Sequence, residues 1–426
     1  MHLLAAALAC AALILQPVQC LKLPGNLQPP DLIGLLWLPF AWMRIATARA
    51  APQLPLFGPF AWIGAASLAA AAMSADPIGG AVAVATECWL YAFFATLALM
   101  LAMASERERR AMLWSWAIAG LGNGMLILVQ FVRPDAQASM STALGSLGSL
   151  DPFRPSGLFE NCNSAAFFQL SAIAPVAMLR LRPIATALCA FVLLLSMLGT
   201  GSMGAVLALT AGTIAGTIAV LVVQRDGRAF ARIVASIVAA AAATAALAAV
   251  ATALDDGFAQ RVDYVLTGRG EGSAQSRMHL WTRGVELLQE QFLPLGIGPD
   301  RFKDVAGFGM HNDALSFAVE RGAIGFCALV AFALTAFASA VAIARNGAPI
   351  RDRSAVVPIA ALVACATLAQ THEIFHQRPL WLLLALQEGA RLRREATALS
   401  PQRRWLRTRC STAPITWSTS SSAIRE

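Results

Sequence analysis

The sequence predicts an all-α fold: a polytopic helical membrane protein with about 12 transmembrane helices and one large outer loop that contains short helices. Three observations predict it. First, 58% of the 426 residues are apolar and only 13% are charged, with a mean hydropathy of +0.63, whereas soluble domains carry about 25% charged residues. Second, the apolar residues fall in continuous blocks, and a helix crosses a bilayer with about 20 such residues. Blocks such as 236–254 show neither a polar stripe at helical period nor strand-like alternation. Third, the basic residues gather after every second block, as they do when one side of a membrane retains positive charge.

The blocks lie near 3–19, 32–48, 54–74, 80–104, 111–132, 164–180, 184–199, 204–223, 230–254, 322–344, 355–371 and 378–390. Arg107, Arg109 and Arg110 follow the fourth, Arg180 and Arg182 the sixth, Arg225, Arg228 and Arg232 the eighth. Arg345, Arg351 and Arg353 follow the tenth, and Arg391, Arg393, Arg394, Arg403, Arg404, Arg407 and Arg409 the twelfth. All five clusters can be cytoplasmic together, with both termini inside. The chain then divides into 1–254 with nine helices and a smaller outer loop at 133–163, a large outer loop at 255–321, three helices in 322–390, and a basic, unstructured cytoplasmic tail at 391–426. The first twenty residues resemble a signal peptide but lack Lys or Arg at the start and have a poor cleavage site, so a retained first span is expected.

The formal charge of +8 is nearly all arginine, since Lys22 and Lys303 are the only lysines. These arginines flank apolar blocks, which fits membrane orientation and contact with membrane lipids rather than nucleic acid. The eight cysteines are scattered without a Cys-x-x-Cys pair or zinc-ligand spacing.

Polar side chains that orientation does not explain collect on the outer side. Arg154 lies in an irregular stretch, Asp151 to Asn163, that runs into an apolar block. It either snorkels to headgroups or presents a fixed charge and five donors. Asn163 is expected to cap the next helix. In 274–291, Arg277, Trp281, Val285 and Leu288 recur at helical spacing, as in a helix lying on the membrane surface with Trp281 at headgroup depth. Arg277, one turn before Trp281, either is solvated there or faces a membrane-proximal cavity. His311 opens a short helix through His311-Asn312-Asp313; it is either a structural cap or, with an unperturbed pKa of about 6.5, a group able to take a proton at neutral pH. His372 and His376 are four apart, but a zinc site wants a third ligand, so no metal site is expected.

Together these segments resemble the O-antigen ligase and polymerase superfamily of bacterial envelope enzymes. The resemblance rests on Arg277 with Trp281, Pro294-Leu295-Gly296-Ile297-Gly298-Pro299, His311-Asn312-Asp313-Ala314-Leu315 and Glu320-Arg321-Gly322-Ala323-Ile324-Gly325. Upstream, Arg154, Gly157, Phe159, Asn161 and Asn163 match a further element, with Cys162 where proline is usual. A Ser-Arg-Gly of the family is here Ser202-Met203-Gly204. The resemblance implies an inverting glycosyltransferase of the inner membrane that uses no metal or cofactor and works at the periplasmic face. Its donor would be an undecaprenyl-diphosphate-linked glycan and its acceptor the lipid A–core or another glycan. Arg154 and Arg277 would take up the diphosphate charge and His311 would be the base. Asn312 and Asp313 would orient the histidine, with Arg378 and Trp281 as further substrate contacts. A polymerase with the same chemistry stays open. A transporter fits less well, because ionisable residues are nearly absent from the apolar blocks apart from Glu87.

Overall fold

Alanine and leucine dominate the apolar blocks, and both are strong helix formers. In the computed structural model eleven of the twelve blocks form helices. The structure describes residues 2–19, 21, 28–47, 53–133, 135, 139, 154–224, 231, 235, 249, 271–290, 294–345 and 356–411. The ninth block, 230–254, lies outside the described residues apart from single positions. Among the described residues there is no strand.

In chain order the helices are α1 (His2–Ile14), α2 (Pro29–Ala46), α3 (Phe57–Met73), α4 (Pro77–Met103), α5 (Glu106–Val132), α6 (Cys162–Met178), α7 (Pro183–Gly199) and α8 (Met203–Ala219). A π turn, Val220–Gln224, continues α8. Then come α9 (Glu271–Glu290), α10 (Phe302–Ala306), α11 (Asp313–Glu320), α12 (Gly322–Arg345), α13 (Val357–Leu368) and α14 (Arg378–Ser411). Four segments are long and apolar enough to cross a membrane: α4, α5, α12 and Met203–Val222. The other apolar helices, α1, α3, α6, α7 and α13, have 12 to 17 residues. At 1.5 Å per residue they reach about 18–26 Å, short of a hydrocarbon core about 30 Å thick. Twelve blocks in the sequence thus correspond to four helices of full spanning length among the described residues.

Helix starts follow local chemistry. Asp76 caps α4 by accepting the Gly79 N–H at 2.9 Å, and Ser105 with Glu108 forms a capping box on α5. Glu108 also takes Arg44 of α2 at 2.7 and 3.0 Å. Asn161, not Asn163, caps α6, accepting the Asn163 N–H at 2.7 Å. The unstructured tail expected at 391–426 is corrected over 391–411 only, and 412–426 lies outside the described residues. Helix α14 runs on through Ser411, supported by Arg391 bonds to Glu388 and Glu395 at 2.7 and 2.6 Å.

Helix α4 packs along α14, α3 along α4 and α12, α5 on α6 and α7, and α8 on α13. Trp381 of α14 sits at the centre, with Phe60, Phe94, Phe332 and Phe375 rings 5.1–5.9 Å away. Its indole N–H donates to the Phe375 carbonyl at 2.7 Å, so the ring is buried with its polar handle satisfied.

Glu87, the ionisable residue inside an apolar block, meets Arg321, which is fully buried where α11 gives way to α12. Arg321 also donates to Ser67 Oγ of α3 at 2.9 Å and to Glu320 at 3.4 Å, and its guanidinium lies 4.1 Å over the Phe317 ring. Nδ1 of His376 is 3.7 Å from Glu87. Removing one partner of a buried pair costs about 3–5 kcal/mol, more than replacing both by apolar groups. Glu87→Ala is therefore expected to lower stability by about that amount, and Glu87→Leu combined with Arg321→Met by less than the two single losses added. Thermal unfolding of the purified variants in detergent checks this; strictly additive losses would contradict it.

Candidate active site

Two glycines let the 294–301 segment turn sharply against the α11–α12 junction. Gly296 and Gly298 have φ of 71° and 108°, conformations that L side chains rarely adopt. A Cβ at Gly296 would come within 2.4 Å of the Glu320 backbone, and one at Gly298 within 2.4 Å of Ser74. The Ile297 and Gly298 N–H groups donate to the carbonyls of Val319 and Glu320 at 3.0 and 2.8 Å. Glu320 also accepts the Phe302 N–H at 3.1 Å. The turn thereby fixes α10 and α11, and α9 packs over them through Leu280, Leu287, Phe302, Met310 and Val319.

This packing corrects the expected face of α9. Val285 is exposed, while Leu280 and Leu287 turn inward. Trp281 does not share an outward stripe with Val285. It is half-buried in the same cluster, and its indole N–H donates to the Met310 carbonyl at 3.1 Å, next to His311.

His311 has φ of 53°, a left-handed conformation unusual for a residue other than glycine. Several groups hold it there. Oε1 of Glu373 accepts the His311 N–H at 3.0 Å, and the Met310 N–H bonds to the same carboxylate. Asn312 caps α11 by accepting the Leu315 N–H at 2.9 Å, and its amide donates to the Gln370 carbonyl at 3.2 Å. The Asp313 N–H donates to the Ala369 carbonyl at 2.9 Å, and its buried carboxylate accepts the Ile374 and Phe375 N–H groups at 3.1 and 3.2 Å. The cap at this helix start is thus Asn312, which leaves the His311 imidazole free of that duty.

Arg154 reaches the same region from the other side of the chain. Two polar residues of α5 hold its loop: Asn123 accepts the Leu158 N–H at 2.9 Å, and Gln130 bonds both polar groups of the Gly157 backbone. Arg154 donates to Asn163 Oδ1 at 3.0 Å, and its Nε is buried without a partner. Among the described residues no carboxylate bonds to Arg154 or Arg277.

Electrostatics ties the side chains into one cluster. Burial, and after it the charge of Arg154, pulls Arg277 below the ordinary guanidinium value, though an arginine stays charged. Burial and the charge of Arg277 hold the His311 imidazole below its ordinary pKa. His372 is pushed down to about 3 by burial, then by Arg277, His311 and Arg154. Its ring stands edge-to-face to His311 with centroids 6.5 Å apart. Burial raises the Glu373 carboxyl, and raises Asp313 well above the usual carboxylate range.

The structure therefore brings Arg154, Arg277 and His311 together, with Trp281, Asn312 and Asp313 bracing the backbone at His311. It does not bring Arg378 to them. That guanidinium forks onto Asp31 of α2 at 2.6 and 2.7 Å and also bonds Gln28, while Trp89 donates to Asp31 at 2.9 Å. His372 and His376 also diverge, the first toward His311 and the second toward Glu87. Among the described residues no group of three His, Cys, Asp or Glu side chains is placed to hold a metal. Sequence reasoning missed Glu373 and Arg321. An acidic residue in a short link between apolar blocks was the signal for the first, and the need of Glu87 for a cation was the signal for the second.

Asp313→Ala is expected to strand two buried backbone donors and lower thermal stability by about 1–3 kcal/mol. Asp313→Asn, which keeps an acceptor, should lose less, and equal melting temperatures for the two variants would contradict the bracing role.

Residues 188–330, about a third of the chain, match the family model described as O-antigen ligase. Arg277, the Gly296–Pro299 turn and His311 lie within the match; Arg154 and His372 lie outside it. No curated protein matches the chain. Over residues 188–330 the chain is thus similar to the O-antigen ligase family, and four of its helical segments are long and apolar enough to cross a membrane.

Proposed function

We propose that this protein is an O-antigen ligase that moves a glycan from undecaprenyl diphosphate to a hydroxyl of lipid A–core. It would act at the periplasmic face of the bacterial inner membrane with both termini in the cytoplasm. The observation that carries the reading is the pair of half-buried arginines, Arg154 and Arg277, near His311 and without a carboxylate partner among the described residues. Partly desolvated cations without a counter-charge are costly, and an anion relieves both. A diphosphate is such an anion, and guanidiniums bind its oxygens by forked hydrogen bonds.

The chemistry follows from that arrangement. The acceptor hydroxyl attacks the anomeric carbon from the face opposite the diphosphate, and the bond from that carbon to the leaving oxygen breaks. The hydroxyl proton passes to the His311 imidazole, which burial and then the charge of Arg277 keep neutral. The departing diphosphate takes the bonding electron pair, and Arg154 and Arg277 stabilise its charge. The arginine clusters after alternate apolar blocks support the orientation that puts this site outside.

Alanine at Arg154 or Arg277 is expected to reduce transfer by about 10²–10³-fold, and His311→Ala by about 10²–10⁴-fold. The lipopolysaccharide gel profile of a deletion strain complemented with each variant checks this. Loss of the whole ladder with intact core supports the ligase; a band of core plus one repeat would indicate a polymerase instead. Transfer by all three variants at normal expression would remove the assignment.

The pH dependence has a definite sign. The base must be neutral, and its pKa is held below the ordinary 6.5, so the rate should stay level through pH 6.5 and fall only on further acidification. An acid limb at or above 6.5 in purified protein would contradict His311 as the base.

A further inference from the structure

Helix α14 packs along α4 and against α6, while α5 packs on α6 and α7. Between α5 and α14 this leaves a cleft of about 270 Å³, at the end of the bundle where α4 and α6 finish. Leu113, Met178 and Leu386 give it a hydrocarbon lining, with half-buried Ala390 beside them. Two guanidiniums complete it, Arg109 of α5 and Arg393 of α14. The cleft is remote from His311. Asp76, at the start of α4, is tied to Arg301 of the 294–301 segment at 2.5 Å, and the 27 residues of α4 put its other end about 40 Å away.

Backbone holds one of these cations in place. Arg393 donates to the carbonyl of Ala104, the cap residue of α4, at 3.1 Å, and the adjacent Arg394 bonds the Ile343 carbonyl in the last turn of α12. Helix C-termini favour cations, so this placement needs no carboxylate. Arg109 bonds Glu106, and Arg393 lies 3.8 Å from the same carboxylate. The charge of Arg110 also falls on it, so Glu106 stands among three guanidiniums. It is 60% exposed, and ion pairs so exposed contribute little. An anion that reaches the cleft therefore meets net positive charge at the edge of an apolar slot. A phospholipid with an anionic headgroup fits both parts: an acyl chain for the slot, and phosphate oxygens for forked hydrogen bonds from the guanidiniums. We propose that the cleft between α5 and α14 binds one anionic phospholipid, with its phosphate at Arg109 and Arg393 and an acyl chain against Leu113, Met178 and Leu386. The lipid completes the packing of two helices that side chains alone leave apart. The site does not depend on the glycan-transfer reading; in the orientation proposed above it lies at the cytoplasmic end of the bundle.

The test uses the full chain in detergent, with retained lipid counted by native mass spectrometry and melting temperature followed as lipid is added. The probes are phosphatidylglycerol, phosphatidylethanolamine with the same acyl chains, and glycerol 3-phosphate as a headgroup without a chain. Phosphatidylglycerol is expected to raise the melting temperature saturably with one lipid retained, and the other two are not. Arg109→Gln should weaken that binding about tenfold, the size of one charge-assisted hydrogen bond. Ala390→Phe keeps both guanidiniums but fills the slot, and should remove the saturable shift. Arg107→Gln, which changes an exposed arginine outside the lining, should leave it unchanged. Equal binding of phosphatidylethanolamine would mean an ordinary boundary lipid and would overturn the proposal. Saturation by glycerol 3-phosphate alone would mean an anion site without a lipid and would overturn it too, as would full affinity in a folded Arg109→Gln or Ala390→Phe. If neither variant folds, the comparison of the three probes on the wild-type chain decides.

Discussion

The region around His311 is referenced to a single buried guanidinium. Arg321 has no exposed surface and bonds α3 through Ser67, α4 through Glu87 and its own neighbour Glu320. The backbone on either side of Glu320 takes the 296–298 turn, and that turn seats α10 and α11. A buried ion pair adds little net stability over apolar residues of the same volume. Its geometric demand is stricter than that of an apolar contact, because a shift of one helical turn would strand both charges. We take register as its contribution: α12 enters the bundle at one depth only, and His311 is placed eleven residues back along the chain by that depth.

The two carboxylates that flank His311 bond to backbone. Asp313 and Glu373 spend their oxygens on N–H groups of the 374–375 and 310–311 segments, and the amides of Asn123 and Gln130 do the same at 157–158. Irregular backbone near a membrane needs such partners, since lipid supplies none. A consequence follows for charge. With these carboxylates directed to peptide groups, no acidic side chain among the described residues quenches Arg154 and Arg277; the charge of Arg277 reaches both imidazoles and that of Arg154 reaches His372. The bracing of the loops and the positive character of the cluster are thus two results of one allocation of hydrogen bonds. Side chains held in this way by supporting contacts meet the rigidity that catalytic placement requires.

Much of the fold was legible because hydropathy and helix propensity are local. Eleven apolar blocks lie where helices lie, and the polar segment at 255–321 holds α9, α10 and α11. Arg154, Arg277 and His311 were legible as a group only through motif resemblance, since nothing in the spacing of positions 154, 277 and 311 requires them to meet. Sequence reading and structure diverge where a residue has two chemically sound uses. Asn163 fits a cap but holds Arg154, and Trp281 fits a headgroup anchor but donates to Met310. Arg378 fits a phosphate contact, yet Asp31 was 347 positions away and already supplied its counter-charge.

The sequence by itself determined the class: a chain too apolar for water, cut into helices by its own composition, with its spare polar residues in the connections between apolar blocks. Tertiary structure decided the pairings. Glu87 and Arg321 are 234 positions apart and His311 and Glu373 are 62 apart, and burial acts on both ends of such a pair at once. Whether a charge is neutralised or left to act on a ligand depends on which partner the packing delivers. That is a property of distance in space, which local composition does not encode.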